Sequence, residues 1–186
     1  CAWLDVPFSL GAEDKRGMSR RRTSEVRRVA EETLRLLKAC GPEVSIGVIT
    51  FYSAQRDDIC EELARPDFGI TERDAETGEW RIGEPWRRTS AGDERLRIGT
   101  VDAFQGKEFD IVLLSVVRSN VNRIPAGQPG DETFEKAANH KYGHLRLNNR
   151  LNVAMSRQRS LLIAVGDRSM AQGKKANDAV PALAAF

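Results

Sequence analysis

At 186 residues the chain is long enough for one domain with a substantial core, and 29 basic against 27 acidic residues leave a net charge of +2, so no global field selects a polyanionic partner. Cys1, Cys40 and Cys60 are scattered without CxxC spacing and accompany only two histidines, which argues against a disulfide framework or a zinc site and leads to the expectation of a reducing, intracellular setting with no metal held. No apolar run approaches a bilayer span and no signal-peptide pattern opens the chain, so no membrane partner is expected; the first residue is Cys1, which suggests a piece of a longer protein.

Strand and helix signals alternate along the chain. AWLDV, residues 2 to 6, reads as a short strand, followed by a polar and basic loop to about Arg22. A helix is expected next, with Ser24 as its cap and Val26, Val29, Ala30, Thr33, Leu34 and Leu37 at the spacing of one buried face, ended by Gly41-Pro42. Val44 to Thr50 reads as a buried strand, and residues 53 to 65 as a helix with Ile59 and Leu63 inward. This rhythm implies a mainly parallel sheet flanked by helices.

Residues 66 to 95 break the rhythm and read as an insertion, with a hairpin around Glu76-Thr77-Gly78 and a polar, mobile remainder. Strands return at 96 to 101 and 110 to 117, separated by a loop carrying Gln105, Gly106, Lys107 and Glu108. Loops at the carboxyl ends of parallel strands are common ligand sites, although these residue types also suit an ordinary surface turn. Asn120 to Gly143 forms a second excursion, rich in Gly, Pro and Asn, that reads as flexible. RLNNRLNVAMSR suggests a helix with Leu147, Leu151, Ala154 and Met155 available for packing, SLLIAVGD a last buried strand, and the Ala-rich end after about Gly173 a fraying tail.

Three blocks carry a specific resemblance. VSIGVITFYSAQ, GTVDAFQGKEFDIVLLSVVRSN and RLNVAMSRQRSLLIAVGD occur in that order and resemble motifs IV, V and VI of superfamily 1 helicases, in the branch of the nonsense-transcript regulators and Dna2-type enzymes. SRRRTSEV resembles that branch's Ser-x-x-Asn-x-x-Glu-Ala segment, matching at Ser19 and Glu25 but placing Arg22 and Val26 where Asn and Ala are usual. The resemblance spans about Leu4 to Asp167 apart from the two excursions. It implies an α/β, RecA-like fold over residues 1 to 186, in the superfamily of phosphate-loop NTPases. The GxxxxGK[ST] loop itself does not occur in the sequence, and the Gly-Asp-Glu triplets at 92 to 94 and 130 to 132 do not follow a buried strand.

The same resemblance implies the second half of a two-domain motor, in which ATP and Mg2+ are held mainly by a first RecA-like domain and single-stranded DNA or RNA runs across both. Gln105 and Gly106 would then face the triphosphate, and Glu108 would accept from a ribose hydroxyl, where otherwise it is a loop carboxylate paired with Lys107 or an arginine. Arg157 would be the arginine finger at the γ-phosphate, a role worth about 10³ to 10⁵ in rate; Arg150 and Arg159 fit surface charge or salt bridges better. Thr50 and Thr100, each ending a strand, are candidates to donate to backbone phosphate, with Ser115, Arg118, Ser119 and Asn120 extending the path and Ser115 liable to fall inside the buried strand. Lys15, Arg16, Arg20, Arg21 and Arg22 form one dense basic cluster, and Phe51 or Tyr52 would have to be exposed to stack on a base. The expected function is the C-terminal RecA-like half of an ATP-dependent helicase or translocase, inactive as a fragment. The alternatives are a noncatalytic nucleic-acid-binding or regulatory module of the same fold, and a Rossmann-like enzyme, against which stands the lack of GxGxxG after a strand.

Overall fold

The computed structural model describes residues 1–186. In chain order its elements are β1 (Ala2–Asp5), β2 (Asp14–Arg16), β3 (Ser19–Arg21), α1 (Thr23–Ala39), β4 (Ile46–Thr50), α2 (Ser53–Leu63), β5 (Thr71–Arg73), β6 (Trp80–Ile82) and α3 (Glu84–Arg87). Then come β7 (Leu96–Thr100), a 3-10 turn at Val101–Phe104, β8 (Phe109–Ser115), α4 (Glu132–Tyr142), α5 (Asn148–Met155), β9 (Gln158–Gly166), α6 (Lys174–Ala179) and α7 (Pro181–Ala184). Five strands form one sheet in the order β1-β9-β8-β4-β7, and every pairing in it is parallel. This is the RecA-like α/β arrangement. Ile46–Thr50 is buried throughout, as the continuous apolar run requires of a strand covered on both faces.

The sheet carries a core on each face. α1 and α2 press Val26, Val29, Leu37, Ile59 and Leu63 onto one side of it, against Val48, Leu113 and Val165. The 3-10 turn, α4, α5, α6 and α7 cover the other, where Phe104, Phe134, Tyr142, Leu151 and Leu183 meet Ile49, Val112 and Leu114. Two glycines admit the 3-10 turn so closely: a Cβ on Gly47 would stand 2.8 Å from the Phe104 ring, and one on Gly99 would stand 2.9 Å from the Ala103 Cβ. With the sheet bare at those points, Phe104 packs closely on it and the chain runs down its face, from the carboxyl end of β7 to the amino end of β8.

Several local expectations are corrected. The loop before Arg22 contains the antiparallel β2–β3 ribbon, which lacks apolar alternation because its side chains are held by ion pairs with Asp58 and Glu13. Ser24 does not cap α1: the helix starts at Thr23 with Arg22 at the cap position, and the Ser24 Oγ has no hydrogen-bond partner. The hairpin in 66 to 95 forms as β5–β6, with the Asp74 carboxylate accepting from the amides of Glu76 and Thr77 to close its turn. The remainder of that stretch is not loose, since the buried Arg95 guanidinium donates to Leu37 O and Pro85 O and stacks on Trp86.

Residues 120 to 143 do not hang free either. α4 buries Phe134, Ala138 and Tyr142, an i, i+4, i+8 stripe, in the core. The end after Gly173 docks in the same way through Ala176, Ala179, Val180 and Leu183, while Phe186 packs edge-on against Trp3. No helix is long and apolar enough to cross a membrane.

Candidate functional site

The pairing of β8 with β9 brings two separate blocks of sequence to one edge of the sheet. Phe109 lies opposite Gln158, and the Phe109 amide donates to Arg157 O at 2.9 Å. The exposed loop Gln105–Glu108, which leads into β8, therefore sits beside the turn from α5 into β9. Gly106 holds φ at +72°, a left-handed conformation, and a Cβ there would meet nothing within 4 Å. Backbone conformation, not crowding, calls for glycine, and the space above its peptide is open.

The arginines of this edge differ in their partners. Arg150 donates to the Asp102 carboxylate at 3.0 Å. Arg159 lies 3.6 Å from both Glu108 and Asp110. Arg157 has no carboxylate: its Nε donates to Val153 O and its Nη2 to the Ser156 Oγ, at 3.1 and 2.9 Å, leaving a partly exposed guanidinium whose charge nothing neutralises. Asp110 anchors the strand behind them by accepting from the Ser45 amide and hydroxyl. Burial works to raise its pKa, but those two bonds, with Arg159 beside them, prevail and hold the carboxyl below its ordinary range. This aspartate orients the edge, and its position in KEFD ahead of the apolar run was the available signal.

The opposite, carboxyl-terminal edge of the sheet looks different from its expected role. Thr100 is partly exposed and its hydroxyl makes no cap bond. Thr50 is fully buried, with its Oγ1 unpartnered. Ser115 is buried within β8, donating to Glu25 Oε1 at 2.7 Å and accepting from the Gln55 side-chain amide at 3.0 Å, so its hydroxyl is committed inside the protein. Arg118 is buried as well, its Nε 3.0 Å from Glu13 Oε2 and its Nη2 donating to His140 O. The Ser119 hydroxyl donates to Asp167 at 2.6 Å, and the Asn120 side-chain amide donates to Glu13 and to Lys141 O. In place of a row of phosphate donors, Ser115, Arg118 and Ser119 tie the tail of β8 to the N-terminal segment and to α4. Phe51 and Tyr52 are buried, Tyr52 stacking on His144, so neither offers a base-stacking platform. In the basic ribbon, Arg16 and Arg21 pair with Asp58, Arg20 pairs with Glu13, and Arg22 is buried, its Nη1 3.6 Å from Glu25.

Glu25 is the centre of that interior network. Its Oε1 also accepts from the Val117 amide at 2.8 Å, and Val117 itself adopts a positive φ of 69°. Complete burial pushes the carboxyl up to about 7 despite the hydrogen bonds from Ser115 and Val117 and the nearby Arg22. The segment SRRRTSEV pointed to Glu25 without assigning it a task; the fold makes it the clamp that aims the chain leaving β8.

A family model described as an AAA domain matches residues 1–169. The DNA polymerase alpha-associated DNA helicase A of Saccharomyces cerevisiae is 34% identical over 70% of this chain, which covers 13% of that protein. The putative helicase MOV-10 of Gallus gallus is 30% identical over 91% of the chain and 17% of its own length, and the regulator of nonsense transcripts 1 homolog of Neurospora crassa is 30% identical over 86% and 11%. The chain thus spans less than a fifth of each of these relatives. With the paired edge of β8 and β9 carrying motifs V and VI in register, the chain belongs to this AAA domain family, as a C-terminal helicase domain of the superfamily 1 branch that includes the nonsense-transcript regulators and Dna2-type helicases.

Proposed function

We propose that this chain is the C-terminal RecA-like half of an ATP-dependent DNA or RNA helicase or translocase, working inside a longer protein. The observation that carries this reading is the edge where Gln105, Gly106 and Glu108 lie beside Arg157, the arginine of its segment that has no counter-ion. A planar guanidinium left without a carboxylate, next to an open glycine peptide, suits phosphoryl oxygens. ATP and Mg2+ would be held chiefly by a first RecA-like domain of the parent. This chain would contribute Gln105 and Gly106 along the phosphates, Glu108 toward the ribose once released from Arg159, and Arg157 at the γ-phosphate. Because Arg157 would stand on a different domain from the phosphate loop and the Mg2+ ligands, its charge would arrive only on closure, which would couple hydrolysis to domain motion. Thr100, with its hydroxyl free at the carboxyl edge, is the best-placed donor to a single strand. Thr50, Ser115, Arg118 and Ser119 would support that edge from inside, with Asn120 at its margin.

The test is ATPase kinetics of the full-length parent against ATP and against single-strand concentration. Arg157→Lys keeps the charge and loses the fork, so nucleotide binding should persist while kcat falls by about 10³ or more, roughly 4 kcal/mol of transition-state stabilisation. Thr100→Ala should raise the strand concentration needed for stimulation. Normal turnover of Arg157→Lys at saturating ATP and nucleic acid would remove the arginine-finger assignment.

A further inference from the structure

A second surface at the carboxyl-terminal edge has the chemistry that the buried residues lack. A cleft of about 510 Å³ opens between the tail of β8, at Asn122 and Arg123, and one face of α4, lined by Glu132, Thr133, Lys136, Ala137 and His140. Thr133, Lys136, Ala137 and His140 recur at helical spacing on the side of α4 opposite the core stripe of Phe134, Ala138 and Tyr142. Arg123 is exposed and makes neither an ion pair nor a side-chain hydrogen bond. The two walls are fixed to each other: the Lys141 ammonium donates to Asn122 O at 2.9 Å, and the Asn120 amide donates to Lys141 O at 2.9 Å. Arg118 donates to His140 O, and the His144 amide donates to the Tyr52 hydroxyl. The cleft is therefore held over the chain ends leaving β8 and β4, the edge at which open parallel sheets take ligands.

We propose that this cleft is a phosphate-binding channel for the backbone of a single nucleic-acid strand, with Arg123 and Lys136 as its ionic contacts and Asn122, Thr133 and His140 as hydrogen-bonding partners. The proposal rests on the helicase reading above and names a contact surface for it. No phenylalanine, tyrosine or tryptophan lines the cleft, whose polar groups, Glu132 apart, are donors suited to sugar-phosphate, so it holds the backbone without reading sequence. Glu132 is the one opposing charge; it pairs with Lys136 at 2.6 Å, and a strand must displace it.

The experiment is fluorescence anisotropy of labelled single-stranded DNA and RNA of equal length against the full-length protein over a series of salt concentrations. Arg123→Ala/Lys136→Ala should weaken binding by on the order of tenfold near 0.1 M salt, and should lower the slope of log affinity against log salt by about 1.4, the value for two lost phosphate contacts on a single strand. Glu132→Gln, which frees Lys136, should tighten binding instead. Both strand types should respond alike, since phosphate is common to them; a loss confined to DNA or to RNA would overturn a backbone channel. Unchanged affinity and slope in the double variant, with Thr100→Ala still weakened, would overturn the channel and leave the helicase reading standing. A parent that binds neither strand would remove both. All three exchanged side chains are exposed, and an unchanged melting temperature checks that the variants fold.

Discussion

Glu25 shows how one residue can couple structure to pH. Its folded carboxyl, pushed up to about 7 by burial, keeps its proton in a range where the unfolded chain, at the ordinary 4.5, has released it. Between those values the folded state binds more protons, so raising the pH favours unfolding. The stabilising contribution is fully present below 4.5 and is lost as pH rises through about 7; a shift of that size corresponds to roughly 3 kcal/mol. Thermal unfolding midpoints should fall from pH 5 to pH 8 in the native sequence and stay nearly level in Glu25→Gln, whose amide oxygen can still accept from Ser115 and the Val117 amide. An equal slope in the variant would place the pH dependence elsewhere. The same oxygen accepts from the amide of Val117, which holds a positive φ, and so braces the chain where it turns toward Arg118 and Asn120.

At the scale of elements, α4 separates the two readings of residues 120 to 143. A flexible excursion would tolerate any change at Phe134, whereas a docked helix with that ring fully buried should lose about 3 to 5 kcal/mol on Phe134→Ala, visible as a lower denaturant midpoint. A change below about 0.5 kcal/mol would restore the loop reading. The stripe of Phe134, Ala138 and Tyr142 is present in the sequence, but it spans only one short helix and follows the turn-forming PAGQPGD, whose composition matches a loop. The strands were legible because buried parallel strands are written as continuous apolar runs. The β2–β3 ribbon was not, because nothing apolar marks it: it is held by Glu13 at its own start and by Asp58, which meets it only after folding. The same reason explains the site. Gln105, Gly106, Glu108 and Arg157 could be read from local motifs. The fate of the Ser115 and Ser119 hydroxyls depended on Glu25 and Asp167, 90 and 48 positions away, and no local pattern contains such partners.

On the scale of the whole molecule, the proposed function would divide the work between the two edges of the sheet. The amino ends of β8 and β9 present Arg157 and the glycine loop; the carboxyl ends of β7 and β8 present Thr100 and the α4 cleft. A sheet with a packed core on each face joins them, so in that reading a displacement at one edge would be felt at the other. In the proposed function such a body would supply a charge and a track, and its sequence contains no phosphate loop to cradle the β- and γ-phosphates. Purified by itself, the chain should therefore show no steady ATP turnover above buffer, and adding single strand should not raise it. Joined to the phosphate-loop domain of its parent it should turn over, and there Arg157→Lys should abolish most of the rate. Turnover by residues 1–186 alone that survives rigorous repurification and disappears on Arg157→Lys or Glu108→Gln would mean that this domain completes a nucleotide site without a partner, and the division of labour between two domains would have to be abandoned.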